Sequence, residues 1–329
     1  MIALQKKTLT PASAIDSEPK TGNEYHIPVL LKESIQALAI HSGGIYVDAT
    51  LGGGGHTRAI LASEKDIKLY AFDRDENALK FAKDNFLSSY QNLVLIKDNF
   101  ANLRTGLALE RVKKIDGILF DLGVSFNQIS TPGRGFSYLH EGNLDMRMDE
   151  SEKLTAFDII NDFPFEKLKE IFFEFGEERE AARIAAAIIS QRKLNKIKTT
   201  SELSEIIERS TRSRFKMKAK ARIFQALRIY LNGEIEALKQ ALKDAVNILN
   251  PKGRIVVISY HSIEDRVVKK FFQYEEKSCI CPPNFPKCVC NKVSTLKIIT
   301  KKPIIPSSQE ISENRMARSA KMRVAEKRG

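Results

Sequence analysis

The chain of 329 residues is long enough for one large α/β domain carrying an insertion, or for two modest domains, and either buries a full core without disulfide or metal staples. Its 43% hydrophobic and 29% charged content is ordinary globular usage, no apolar run approaches the roughly 20 residues that cross a bilayer, and no signal-peptide core opens the sequence, so a cytoplasmic protein is expected. The net charge of +12 is concentrated: eleven Lys/Arg stand against three Glu from Arg192 to Arg222, and ten against three from Asn291 to Gly329, a distribution that suits a polyanionic partner such as nucleic acid.

Residues 1–23, with Asp16 and Glu18 and no Arg, read as a loose polar extension. Ile45 to Thr50 then reads as a strand, followed by the turn Leu51-Gly52-Gly53-Gly54-Gly55-His56 and a helix through Ala59, Ile60 and Leu61. Leu69 to Phe72 is a second strand ending at Asp73, and a helix with Ala78, Leu79 and Ala82 on one face leads to a third, Leu93 to Ile96, which ends at Asp98-Asn99-Phe100. The fourth strand, Ile115 to Phe120, ends at Asp121. This alternation implies an α/β fold with a mostly parallel sheet.

The rhythm changes after Asp121. A Gly/Ser/Pro-containing loop from Gly123 to Gly142 gives way to helical patterns: Ile184, Ala185, Ile188 and Ile189 within a helix expected over Glu177–Lys193, and a capping box of Thr199 with Glu202 before Leu203, Ile206 and Ile207. Residues 131–231 therefore read as an inserted all-helical domain. A helix from Glu234 to Leu249 is stopped by Asn250-Pro251-Lys252-Gly253, and Arg254 to Ser259 resumes the buried strands. The sheet domain is thus expected to be discontinuous, over 24–130 and 232–305, with 306–329 a basic tail partly disordered until bound.

A strand running into a glycine-rich turn and a helix lets main chain approach a ligand closely, because glycine has no Cβ. Thr57 stands where the dinucleotide fingerprint requires its third glycine, which weakens the competing reading as a nicotinamide-dependent oxidoreductase. Asp73, 25 residues after Asp48, is placed to accept hydrogen bonds from ribose hydroxyls; Phe100 is placed to cover an adenine, and Asp121 to face the reacting end. Taken singly, each acid is as readily a helix cap and Phe100 a core residue; taken together they converge on one crevice.

Several motifs carry a resemblance. They are His26-Ile27-Pro28-Val29-Leu30, Asp48-Ala49-Thr50-Leu51-Gly52-Gly53-Gly54-Gly55-His56-Thr57, Asp121-Leu122-Gly123-Val124-Ser125, Gly133-Arg134-Gly135-Phe136-Ser137, Leu144-Asp145-Met146-Arg147-Met148-Asp149 and Ser259-Tyr260-His261-Ser262-Ile263-Glu264-Asp265-Arg266. In this order and over nearly the whole chain, the sequence resembles the bacterial small-subunit ribosomal RNA (cytosine-N4)-methyltransferases. The resemblance implies a class I, Rossmann-like methyltransferase fold with an inserted helical domain, S-adenosylmethionine as methyl donor, S-adenosylhomocysteine as product, and ribosomal RNA, in an assembled or assembling small subunit, as partner. It implies cofactor contacts at Gly54, Gly55, His56, Asp73, Phe100, Asp121 and Gln128, and puts Ser125 in the catalytic set. Phe126 departs from the family pattern, which has a small residue there.

The chemistry narrows the reaction further. A cytosine amine is a weak nucleophile because its lone pair is delocalised, so an acceptor must orient it, a task that fits Asp121. Methylation at ring carbon five would call for a cysteine nucleophile, and all four cysteines lie between Cys279 and Cys290, away from the strand ends. Tyr260 and His261 follow the resumed strand; Tyr260 is assigned to stacking or orienting the base and His261 to relaying the proton, against the plainer possibility that both shape the turn. Arg134, Arg147 and Arg266 read equally as anion contacts or structural ion pairs. Phe215, among Arg212, Arg214, Lys216, Lys218 and Lys220, suits RNA stacking. The paired Cys-x-Cys spacing is tighter than a usual zinc knuckle, so free thiols are preferred to zinc and no metal is assigned. The alternatives are another class I nucleic-acid methyltransferase, or a non-catalytic RNA-binding assembly factor that would need no acceptor at Asp121.

Overall fold

The computed structural model describes residues 28–212, 214–282 and 287–329. The extension read over 1–23 and the His26-Ile27 half of the first motif lie outside the described residues.

The first half follows the expected alternation. Helix α1 (Leu31–Leu38) precedes β1 (Ile45–Asp48), α2 (Gly55–Ser63), β2 (Lys68–Asp73), α3 (Glu76–Asn85), β3 (Leu93–Lys97), α4 (Leu103–Leu109) and β4 (Ile115–Asp121). The strands pair in parallel, each joined to the next by a crossover helix. Helices on both faces explain the unbroken apolar runs. On β4, Ile118 and Phe120 join one core layer with Leu103, Leu107 and Leu242, while Leu119 between them joins the opposite layer with Tyr46 and Ile60.

After β4 come α5 (Phe126–Ser130), α6 (Ala156–Asp162), α7 (Phe165–Glu174), α8 (Ala181–Arg192), α9 (Thr200–Ser210) and α10 (Lys216–Asn232). From α6 onward these helices surround a core of their own, in which Phe172, Ile184, Ile188, Leu203, Ile207 and Ile223 are buried. The capping box opens α9: the Thr199 hydroxyl accepts from the Glu202 amide at 3.2 Å, and the Glu202 carboxylate accepts from the Thr199 amide at 3.1 Å. Helix α8 starts at Ala181 and not at Glu177, because Glu177 sits at φ 50, a left-handed conformation that no helix interior holds.

The chain then returns to the sheet through α11 (Glu234–Ile248), β5 (Leu249–Ser259), α12 (Ser262–Glu276), β6 (Leu296–Ile298), α13 (Ser308–Glu313) and β7 (Lys321–Lys327). The seven strands run in the order β3-β2-β1-β4-β5-β7-β6. The segment Asn250-Pro251-Lys252-Gly253 ends α11 but also lies within β5, as a bulge: Leu249 pairs with Ile115 and Arg254 with Gly117, so these four residues stand opposite Asp116 alone.

The basic tail expected over 306–329 is not a tail. Its last part is β7, inserted antiparallel between β5 and β6, with Met322 and Val324 buried in the core layer that holds Leu119. The charges that made it look solvated are used locally: Arg323 donates to Asp265 of α12 at 2.6 and 3.2 Å, and Arg254 pairs with Glu326 at 2.7 Å. Among the described residues no helix is long and apolar enough to cross a membrane.

Candidate active site at the carboxyl edge of the sheet

Parallel register brings the strand ends level: Asp48 lies beside Ala71 and Leu119, Asp73 beside Lys97, and Asp121 beside Ile258. The strand order reverses between β1 and β4, the place where open α/β sheets leave a crevice. A cavity of about 580 Å³ opens there, within the usual size for a small-ligand site. Gly55, His56, Asp73, Phe100, Asp121, Ser125, Gln128, Tyr260 and His261 all line it.

Gly54 does not line the cavity. Its backbone is left-handed at φ 72, and a Cβ there would stand 2.3 Å from the Phe86 ring, so this glycine is required by packing behind the turn. Gly52 and Gly53 border the cavity instead. Thr57, in place of a third glycine, is buried and donates its hydroxyl to Asp48 at 2.7 Å, a structural task that glycine could not perform.

One side of the cavity presents a carboxylate and an aromatic ring. Asp73 accepts from the Gly52 amide at 2.8 Å and from the Asp75 amide at 2.9 Å, one bond to each oxygen, which leaves a lone pair on each for a ligand. Burial pushes its carboxyl up to about 6 even though these two bonds pull the other way. Phe100 opens a single 3-10 turn capped by Asn99 and packs edge-on against Phe120, with ring centroids 5.9 Å apart. Gln128 is held by a reciprocal capping box with Ser125 and donates to Asp75 at 2.8 Å. Asp75 escaped the sequence reading. It caps α3, accepts from Gln128 and Arg134, and lines the cavity; its place two residues after a strand-end acid was the available signal.

The other side converges on Asp121. Its Oδ1 accepts from the Tyr260 hydroxyl at 2.7 Å, its Oδ2 lies 3.5 Å from His56 Nδ1, and its amide donates to Thr50 at 2.8 Å. His56 Nε2 faces the Val29 carbonyl at 3.1 Å, and since a carbonyl only accepts, that nitrogen carries the hydrogen. Burial lowers the imidazole's pKa and favours the neutral ring, whose Nδ1 lone pair then points at the Asp121 carboxylate. Burial, with Asp121 alongside, raises the Tyr260 phenol well above its ordinary value, so it stays a donor. Behind them Asp48 is fully buried and pushed up to about 6 by desolvation, against bonds from Thr57 and Thr50.

His261 lines the cavity but is tied elsewhere. It caps α12 through Nδ1, which the Glu264 amide approaches at 3.4 Å, while Nε2 stands 3.1 Å from a Glu264 oxygen without the alignment of a hydrogen bond. Burial alone would raise the Glu264 carboxyl, but His261 and Arg228 more than offset this and hold it below the usual range. The imidazole that touches Asp121 is that of His56.

The three arginines of the motifs have protein partners. Arg134 pairs with Asp75 at 3.1 Å, Arg147 forks onto Asp145 at 2.7 and 2.9 Å, and Arg266 pairs with Glu177. The first basic stretch is partly neutralised, with Lys216 and Lys220 on Glu208 and Arg222 on Glu178. Phe215 is half exposed, with Arg214 4.8 Å and Lys218 4.7 Å from its ring centroid. Phe126 stands at the cavity, 44% exposed.

A sheet in this order, with an antiparallel strand beside β5, a glycine turn after β1 and carboxylates ending β2 and β4, defines the class I methyltransferase fold. The chain belongs to the MraW methylase family, whose model matches residues 23–328. It is 46% identical over 306 residues to a protein of Finegoldia magna named ribosomal RNA small subunit methyltransferase H, covering 92% of this chain and 98% of that one. A Halothermothrix orenii protein of the same name is 48% identical over 306 residues, with the same coverage. Among solved structures, an rRNA methylase from Streptococcus thermophilus aligns over 92% of this chain and 99% of its own at 14% identity and a TM-score of 0.41, too distant to add to the sheet order.

Proposed function

We propose that this protein transfers a methyl group from S-adenosylmethionine to the exocyclic N4 of a cytosine in small-subunit ribosomal RNA, leaving S-adenosylhomocysteine. The names of its relatives support the RNA class, and one observation carries the amine assignment: the Asp121 carboxylate at the cavity, fixed by the Tyr260 hydroxyl at 2.7 Å, with the His56 imidazole 3.5 Å away. The residues present fit the donor. The glycine turn with Gly55 leaves room for its main body, the spare lone pairs of Asp73 suit two ribose hydroxyls, Phe100 suits the adenine face, and Gln128 lines the same wall. Gly54 acts by shaping the turn.

When bound, the sulfonium supplies an electrophilic methyl group. Asp121 would accept a hydrogen bond from the cytosine amine and aim its lone pair at the methyl group that the donor would supply. The amine proton then leaves to Asp121, with the neutral Nδ1 of His56 behind it as the next acceptor. Tyr260 fixes the carboxylate and borders the base. Ser125 acts through its cap on α5, which positions Gln128, and His261 shapes the mouth through Glu264. The helical unit over 131–231, with Phe215 on its surface, recognises the RNA, and the work is done in the cytoplasm.

The test is to incubate the protein with methyl-labelled S-adenosylmethionine and either naked RNA or small ribosomal subunits, and to map the label by nucleoside mass spectrometry. Label on N4 of cytidine is the expected result. Label on a ring carbon or ribose oxygen overturns the amine assignment, and a preference for subunits over naked RNA identifies the assembled particle as substrate.

A further inference from the structure

Away from the cavity, the loop between α12 and β6 gathers Cys279, Cys281, Cys288 and Cys290. Their four Sγ atoms all lie within 4.8 Å of one another, with Cys288 and Cys290 at 3.5 Å and Cys279 and Cys290 at 3.8 Å. All four are free thiols, and these separations are far beyond the roughly 2.05 Å of a disulfide. They match another geometry. Four sulfurs each about 2.3 Å from one ion at tetrahedral angles stand about 3.8 Å apart.

Packing does not explain the cluster. The loop's larger apolar side chains point outward, Ile280 45% exposed and Val289 66% exposed, while the small polarisable thiols turn toward one another. Hydrophobic collapse would produce the reverse arrangement. The backbone also addresses the sulfurs: the Ile280 amide points at Cys290 at 3.3 Å, that of Cys281 at Cys279 at 3.4 Å, and that of Val289 at Cys281 at 3.4 Å. Amides aimed at sulfur orient thiolates and offset their charge, the usual outer layer of a thiolate metal site.

We propose that these four cysteines bind one zinc ion in a closed tetrahedral site. Binding displaces four thiol protons and leaves a centre of net charge −2, on a loop that also carries Lys277 and Lys287. Every coordination position is filled by protein, so the ion is structural and takes no part in methyl transfer. The neck of the loop is already fastened, the Thr295 amide donating to the Glu275 carbonyl at 2.9 Å and the Ser294 hydroxyl to the Glu276 carbonyl at 2.8 Å. The metal fixes what lies beyond that neck.

The experiment measures metal in the full chain by elemental mass spectrometry after reconstitution with zinc under reducing conditions and gel filtration. About one zinc per chain is expected. It should be released as a mercurial reagent titrates the four thiols, and a Cys288→Ser/Cys290→Ser variant should hold at least about tenfold less. Cobalt substitution of the unaltered protein, which needs no variant to fold, should give thiolate-to-metal charge transfer and the intense visible bands of a tetrahedral centre. Less than about a tenth of an equivalent of zinc in the reconstituted protein overturns the proposal. So does zinc retained unchanged by the double variant, which would direct attention to Glu234, His261 and Glu264, or a cobalt spectrum without thiolate bands.

Discussion

Replacing Asp121 by Asn separates catalysis from folding at the reacting end of the site. The amide oxygen still accepts from the Tyr260 hydroxyl at 2.7 Å, so the turn after β4 keeps its anchor. The amide nitrogen takes the place of Oδ2, 3.5 Å from His56 Nδ1, and turns a contact between two acceptors into a donor facing a lone pair. Stability should therefore be unchanged or rise by up to about 1 kcal/mol, at most a few degrees in Tm. Toward the cytosine amine the sign is opposite: a donor now faces a donor, and no group at that point accepts the proton. Loss of a positioned acceptor of this kind is worth about 10²- to 10⁴-fold in rate, or about 3–5 kcal/mol. The assay is single-turnover methylation of small subunits, alongside calorimetry with S-adenosylhomocysteine and a melting curve. A fall in rate of that size is expected with the Kd for the product within about threefold of its original value. Activity within tenfold of the unaltered enzyme, or a loss of product binding equal to the loss of rate, would refute the role given to Asp121.

Asp48→Asn tests the buried carboxyl behind the site. Asp48 titrates at about 6 in the fold against 3.8 as an ordinary carboxyl, so the folded state binds the extra proton between these values and stability falls as pH rises through that window, by roughly 3 kcal/mol. The Asn variant lacks this loss, so its Tm relative to the parent should climb between pH 4 and 7; parallel curves would sink the assignment. Phe126→Ser should raise KM for RNA about 5- to 100-fold through lost stacking while leaving product binding intact, and an unchanged KM would remove Phe126 from the substrate mouth. Lys218→Ala should lower the slope of log affinity for RNA against log salt by about 1, read by filter binding, and Phe215→Ala should weaken binding without changing that slope; a salt slope unmoved by Lys218→Ala would take this patch out of the RNA interface.

The five parallel strands, with the helices after β1 and β2, were legible because a sheet covered on both faces makes its strands apolar throughout, and because aspartate stands at or just past the ends of the first four. The capping box of α9 was legible for a similar reason: its bonds join residues three apart, and local geometry is written in local sequence. Strand β7 was not. Its Lys-Met-Arg-Val alternation carries too few apolar residues to stand out, and it becomes a strand by pairing with β5 and β6 and burying Met322 and Val324, while Asp265, 58 residues away, accepts the charge of Arg323. The left-handed Glu177 was equally hidden, since no residue type announced it.

At the site, residue types and strand-end positions were available from the sequence alone, through the period of the chain and the conformational freedom of glycine. Which groups touch was not. That His56 and not His261 meets Asp121, that Gly52 and Gly53 border the cavity while Gly54 packs on Phe86, and that Arg134 and Arg266 are held by Asp75 and Glu177, were decided by tertiary structure. Hydrogen bonds and ion pairs depend on separations of a few tenths of an ångström between residues far apart in the chain, 139 positions for Tyr260 and Asp121, and only the packed sheet sets distances on that scale.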